Sequence, residues 1–457
     1  MEKENLQRKL GARQIQMIAL GGTIGVGLFM GAGSTISWTG PSVIFAYLVA
    51  GLFLYFVMRA LGEMLYVHPH SGSFAHFASE YLGESFGYLT AWSNVFQYLI
   101  VGMSEVIAIG AYFKFWWPDL PAFIPGLIAI IMLTIANLIS VKIFGELEFW
   151  FAFIKVFTIL LMIIAGFGVI FFGLGNGGQP LGVSNLWSHG GFFPKGLKGF
   201  FFSLAIVVSS YQGIELVGVT AGEAENPRET LVKAIKSTVG RILVFYVGAI
   251  FIIVTIYPWN ELSTLGSPFV QIFSKIGITF AAGLINFVVI TAALSGCNSG
   301  IFSSSRMLYS LSLRGEMPKL FSKLSRAGVP VYPVLVMSLG IVLGFLINEL
   351  LPVFFNQASN VFILVYSSST LPGMVPWIVI LLSQIEFRKK HPEALIDHPF
   401  KMPLFPYTNY LTLAFLAIVL LFMVINPETR ISFFVGLIFL TIIWFDYHRR
   451  FGKKTKN

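Results

Sequence analysis

Six glycines fall within thirteen residues in GGTIGVGLFMGAG, Gly21–Gly33, inside an otherwise apolar stretch near the start of the chain. A helix facing hydrocarbon cannot leave backbone N–H and C=O groups unpaired, because lipid offers them no partner. A glycine-rich interruption at that depth is tolerable where it borders a cavity, where the freed groups can hold a solute or an ion. The competing reading is close helix packing through small residues. Either way the run forces this segment into a protein interior.

The chain around it is made for a membrane. Of 457 residues, 56% are hydrophobic and 11% charged, where a soluble protein carries about 25% charged residues. Apolar spans of about 20 residues are expected at 14–34, 41–66, 86–113, 121–141, 147–173, 197–220, 240–258, 269–296, 331–350, 358–384, 406–426 and 431–447. Twelve spans leave no room for a soluble catalytic domain, so the expectation is an all-α integral membrane protein with a single transmembrane domain over 1–457. The start, MEKENLQRKLGARQ, leads directly into a full span without a short apolar core and cleavage site, so no removable signal peptide is expected. Placing residues 1–13 and 448–457 in the cytoplasm puts most of the 30 Lys and Arg on that side, as the positive-inside rule requires. The net charge of +9 then reports topology in an inner, cytoplasmic membrane and anionic headgroups, and gives no sign of nucleic acid. The single Cys297 excludes an internal disulfide and reads as a small apolar residue.

A weak internal echo organises the spans. A second glycine- and polar-interrupted stretch, SSYQGIELVGVTAGEAENP, Ser209–Pro227, lies in the sixth. Interrupted spans at matching places in two halves point to inverted repeats, here spans 1–5 over 14–173 and spans 6–10 over 197–384, with 406–447 peripheral. The external loop Gly173–Lys195 is rich in turn formers, and the cytoplasmic connections are basic, solvated edges.

Four long segments in this order, GGTIGVGLF, NLISVKIFGELEFWFAFIKV (Asn137–Val156), YQGIELVGVTAGEAENPRETLVKAI (Tyr211–Ile235) and NSGIFSSSRMLYSL (Asn298–Leu311), closely resemble the bacterial amino acid permeases of the amino acid–polyamine–organocation superfamily, amino acid transporter family. The resemblance runs from Arg8 to about Arg450. It implies a LeuT-type 5+5 inverted-repeat fold with discontinuous helices 1 and 6, and uptake of amino acids by proton symport with alternating access.

An amino acid brings a carboxylate and an ammonium whatever its side chain. The carboxylate needs N–H donors at the positive end of a half-helix, available from Thr23, Gly25, Val26 and Gly27. The ammonium needs carbonyl oxygens, available where the sixth span unwinds near Ser209, Ser210 and Tyr211, with Tyr211 as an aromatic lid, Gln212 as a specificity contact and Gly213 a further substrate-binding candidate. The resemblance places both contacts here. Flanking side chains would then select among amino acids, and the absence of Asp from both interruptions leans towards neutral ones.

Lys155 is the sharpest single residue. It lies well inside the fifth span, and a lysine at that depth costs roughly 2.5–3.5 kcal/mol on insertion scales. Burial disfavours its charged form, so it can take a proton from one side and release it to the other. In related transporters a lysine in the fifth span replaces a sodium ion beside the broken first span, which implies that Lys155 couples transport to protons. The alternative is a static ammonium bracing carbonyls of the first span. Glu105 and Glu215 are further proton-coupling candidates, Glu105 without an obvious local partner and Glu215 equally readable as a cap on the exposed half-helix. Arg59 and Glu63, one turn apart, are expected to pair with each other. Glu146 and Glu148 at the head of the fifth span suit the helix dipole and need no other role. Asn298 and Ser299 are placed at the end of the eighth span, facing the first break beside Lys155.

No HExxH, CxxC or GxxxxGK[ST] occurs, so neither an enzyme nor a metal or organic cofactor is expected; the proton is the coupling ion. His68, His70 and His76 follow the second span and read as solvated or capping. The partners implied are an amino acid, protons and the bilayer. An exchanger without net proton movement stays open, as does, more remotely, a membrane amino acid sensor, although no output domain is visible.

Overall fold

The computed structural model describes residues 10–70, 72–220, 227–262, 279–355 and 361–452. Among these, all regular structure is helical apart from isolated bridges such as that between Leu324 and Pro330. In chain order the helices are α1 Ala12–Gly21, α2 Val26–Phe29, α3 Gly31–Thr39, α4 Val43–Val67, α5 Ser73–Leu82, α6 Glu84–Phe113, α7 Phe123–Ile139 and α8 Val141–Phe172. They continue as α9 Gly196–Ser209, α10 Leu216–Thr220, α11 Pro227–Ile256, α12 Thr279–Leu313, α13 Val331–Phe355, α14 Val361–Ser368, α15 Thr370–Lys390, α16 Tyr407–Ile425 and α17 Pro427–Phe451.

Seven stretches of described helix are long and apolar enough to cross a bilayer, and Phe123–Ile139, Gly196–Ser209, Leu243–Ile256 and Val331–Leu346 are shorter apolar helices. This is a multi-pass membrane protein. Its outer faces are apolar because the surrounding solvent is lipid: Ile128, Ile131, Met132 and Ile135 on α7 are all exposed. Burial sorts centre from periphery. In the most apolar window of α12 83% is buried inside the protein, against 22% for α17. α12 packs along α6 and α8, and α8 along α1.

Helix ends follow local chemistry. Ser140 caps α8, its Oγ accepting from Ile143 N at 3.2 Å, and Gly173 closes it in the left-handed region at φ 68°. Asn426 caps α17 from its side chain, with Pro427 in the first turn.

Several expected boundaries move. The fifth helix begins at Val141 rather than 147, so Glu146 and Glu148 lie in its second turn, beyond the first turn where the dipole acts. The eighth was expected at 269–296; α12 instead runs on to Leu313, while 263–278 lie outside the described residues. The cause is burial. Ser295, Asn298, Ser299, Ser303, Ser304 and Ser305 are fully buried against protein, so their polarity costs no lipid contact although it depresses hydropathy. Asn298 and Ser299 therefore sit mid-helix. The tenth span is divided at Ser369, and His76 lies on the short helix α5 rather than in a loop.

Candidate functional site

The first interruption is a gap in the helix between Gly21 and Val26. Its freed carbonyls have partners from other helices. Lys155 Nζ, fully buried on α8, donates to Gly21 O, to Ile24 O at 3.0 Å and to Ser295 Oγ on α12 at 2.8 Å. Tyr246 OH on α11 donates at Thr23 O. The amide of Val26 donates to Glu105 Oε1 of α6 at 3.4 Å, and Gly25 N closes a tight turn on Thr23 O at 3.1 Å.

The second interruption separates Ser209 from Leu216. Gly213 sits at φ +102°, a conformation side chains rarely adopt. A Cβ on it would stand 2.4 Å from Gly22 O, so the two gaps meet backbone against backbone. Ser209 O accepts from Tyr366 OH on α14 at 2.9 Å, and Ser210 O lies 2.6 Å from Tyr246 OH, whose one hydrogen it shares with Thr23 O. Tyr246 thus stands between carbonyls of both gaps. The N–H of Gly213 donates to the Glu215 carboxylate at 3.2 Å, which also accepts from Gln97, Tyr98 and Trp377. The rest of the run, 221–226, lies outside the described residues.

Where the gaps face each other a small cavity opens, about 20 Å³ of space reachable by a water-sized sphere. That holds one or two waters at roughly 10–15 Å³ each. The first gap supplies Gly22, Thr23, Gly25 and Gly27, the second Ser209, Ser210 and Gln212. α6 supplies Tyr98, Val101 and Glu105, and Gly296 and Tyr366 complete the wall. Glu105 reaches it by fitting between glycines, since a Cβ on Gly25 or Gly296 would stand 2.6 or 2.3 Å from Oε1. Its Oε2 is buried with no hydrogen-bond partner among the described residues.

Of the residues singled out from sequence, Thr23, Gly25, Gly27, Ser209, Ser210, Gln212 and Glu105 converge on this cavity, whereas Val26, Tyr211 and Gly213 do not line it. Tyr211 donates to Tyr47 O at 3.1 Å and stacks on Tyr246 with centroids 4.5 Å apart. It belongs to an aromatic cluster with Tyr47 of α4 and Tyr246 of α11. Gln212 is fixed by exchange with Ser369, donating to its carbonyl at 3.0 Å and accepting from its Oγ at 2.9 Å. Lys155 lies behind the first gap. Asn298 binds Glu148 and Asn137 instead of the gap, and Ser299 Oγ lies behind Gly22, 3.6 Å from where its Cβ would stand.

Two expectations are corrected. Arg59 and Glu63 do not pair with each other. Glu63 forms a two-pronged pair with Arg388, both contacts at 2.7 Å, and also accepts from Gln384 and Met402 N. Arg59 donates to Lys401 O and lies 3.8 Å over the Phe400 ring. Partners far along the chain displaced the one a turn away. Glu148, read as a helix-end charge, is fully buried and accepts from Ser295 and Asn298. Its neighbour Glu146 pairs with Arg13 at 3.0 Å.

Ser295, Tyr246, Tyr366 and Tyr98 were missed. Ser295 carried a signal, a hydroxyl inside an expected span near the polar pair already noted. The tyrosines carried none that set them apart among 16. His70 stacks on His76 at 3.7 Å, and His76 pairs with Glu80 at 3.3 Å.

Comparison with known proteins finds similarity along the whole length of the chain. The family described as amino acid permease matches residues 14–457. The probable threonine/serine transporter YbxG of Bacillus subtilis (strain 168) is 61% identical over 457 residues, covering 100% of this chain and 98% of the relative. The amino-acid permease AapA of the same organism is 45% identical over 457 residues, covering 100% and 98%. The aromatic amino acid transport protein AroP of Escherichia coli is 40% identical over 444 residues, covering 97% and 96%.

Proposed function

This chain belongs to the amino acid permease family, and from that premise we propose that it imports small neutral amino acids, serine and threonine first among them, by proton symport with alternating access. The observation that carries the reading is the meeting of two helix gaps, Gly22 against Gly213, around a cavity lined by peptide groups, hydroxyls and one carboxylate. Backbone groups answer the carboxylate and ammonium common to all amino acids. Ser209, Ser210, Thr23 and Gln212 answer a short polar side chain, in keeping with the threonine and serine named for the 61% identical relative.

In this reading the fold is a LeuT-type pair of five-span inverted repeats followed by two further spans, twelve in all. It sits in the cytoplasmic membrane with both termini inside. Spans 1, 2, 6 and 7 rock against 3, 4, 8 and 9. The cavity's small volume supports such a motion, since an amino acid enters only when the gaps part. Lys155 is the coupling group: its donors hold both edges of the first gap, so its protonation state and the shape of the site are linked. No cofactor other than the proton takes part.

The test uses purified protein in proteoliposomes. Labelled threonine should accumulate in an empty lumen under an inward pH gradient. Uptake only after the lumen is preloaded with amino acid would replace symport by exchange. Competition by all twenty amino acids against that label reads the specificity, and equal inhibition by arginine or glutamate would refute a neutral preference.

A further inference from the structure

Glu148 lies seven residues before Lys155 on α8, about 10 Å nearer that helix's N-terminus at ~1.5 Å per residue. The two side chains are linked through one hydroxyl: Lys155 Nζ donates to Ser295 Oγ at 2.8 Å, and Ser295 Oγ donates to Glu148 Oε1. All three are fully buried. The other carboxylate oxygen accepts from Asn298 Nδ2 at 3.1 Å, and Asn298 Oδ1 accepts from Asn137 at 2.8 Å. Asn298, itself held by Asn137, thereby fixes the carboxylate with its other oxygen facing the hydroxyl. A hydroxyl accepts and donates at once, so it can pass a proton without itself ending charged.

We propose that Glu148 receives the proton of Lys155 through Ser295, giving the proton a way out of the site on the side away from the amino acid; this rests on the reading of Lys155 as the coupling group. An N–H bond of the ammonium breaks as an O–H bond forms on Ser295 Oγ, and the original Ser295 proton passes to Glu148 Oε1. The products are a neutral amine, an intact serine and a carboxylic acid, with no net charge created. Glu105 and Tyr98 from α6 interact electrostatically with the pair, Glu105 with both members and Tyr98 with Glu148. Glu105 borders the cavity and Glu148 does not, so two carboxylates flank the lysine, one towards the guest and one away from it. The Glu148 end of α8 also packs against the start of α1, where Arg13 pairs with Glu146. Under the proposed topology that end is cytoplasmic.

The experiment compares wild type, Glu148→Gln, Ser295→Ala and Ser295→Thr in proteoliposomes. It reads gradient-driven threonine accumulation, lumenal acidification with a pH dye, and counterflow from a preloaded lumen. Wild type is read first, because absence of threonine-dependent acidification there refutes proton coupling itself. Given that coupling, Glu148→Gln and Ser295→Ala are expected to lose accumulation and acidification together, on the order of a hundredfold as for loss of a positioned acid or base. Counterflow, which needs no net proton release, persists, and Ser295→Thr restores the hydroxyl and the acidification. Wild-type acidification in Glu148→Gln or Ser295→Ala overturns the relay while leaving symport intact. Loss of counterflow in step with accumulation, or failure of threonine to rescue, assigns these residues to structure and overturns it equally.

Discussion

The two gaps solve one problem with opposite charges. At the first, the exposed groups are chiefly carbonyls at the end of α1, and a cation from a neighbouring helix covers them: Lys155 on Gly21 O and Ile24 O. At the second, the turn itself supplies an anion two residues on, Glu215 on the Gly213 N–H. The signs follow the ends of half-helices, negative where carbonyls are bare and positive where N–H groups are. The difference lies in origin. The cation arrives from α8 and contacts a relay hydroxyl, whereas the anion is local and held by Gln97, Tyr98 and Trp377. A group reached from outside can report on a third element; one locked into its own turn is an anchor.

Breaking the cation should have the largest effect. Lys155→Ala is expected to abolish accumulation driven by a pH gradient, on the order of a hundredfold, while leaving part of threonine binding. Normal concentration of substrate by that variant would remove Lys155 from the mechanism. Neutralising the anion should act on stability instead. Glu215→Gln gives up charge-assisted bonds worth roughly 1.5–3 kcal/mol, lowering the unfolding midpoint in detergent while the proton-to-substrate ratio of the surviving transport stays as in wild type. A changed ratio would make Glu215 a second coupling group and erase the contrast.

The contact between the gaps can be tested within the glycines. Gly213→Ala combines a strained φ with a clash on Gly22 O, a loss of roughly 1–3 kcal/mol. Gly33, on α3, has no atom of the described residues within 4 Å of its prospective Cβ, so Gly33→Ala should be neutral or gain up to about 1 kcal/mol. Equal thermal shifts for the two would show that glycine content, not geometry, matters. Tyr246→Phe removes the hydroxyl shared by the gaps and should weaken threonine binding near fivefold, for about 1 kcal/mol of hydrogen bonding; unchanged affinity in a binding titration would dissolve the bridge.

A further test lies outside the membrane. Burial pushes the Glu316 carboxyl up to about 7, opposed by Arg314 at 2.9 Å. Its folded-state value stands above the unfolded one of 4.5, so the stability it contributes is full at low pH and lost as pH rises through about 7. Glu316→Gln cannot titrate, and its unfolding midpoint should gain on wild type as pH rises across that window. Parallel midpoints would rule out the titration.

Both gaps were legible because glycine and polar residues inside an apolar run have few other uses, and Lys155 because no lysine at that depth is idle. What stayed hidden was relational. Glu148 looked like a helix-end acid since α8 starts before the apolar run does, and a boundary shift of six residues moved it into the core. Arg388 lies 325 residues from Glu63, so spacing along the chain could only offer Arg59. The tyrosines that clasp the gap carbonyls act through position alone, and position comes from the packing of α11 and α14.

The nitrogen of Lys155 repays a count of hydrogens. As an ammonium it owns three, and it faces three oxygens: Gly21 O, Ile24 O and Ser295 Oγ. Give up one proton and two hydrogens remain beside a lone pair, so one oxygen must be surrendered or the serine must turn and donate back. Losing a single proton therefore either frees a backbone carbonyl or turns the serine round, and chemistry at one atom becomes a change of partners.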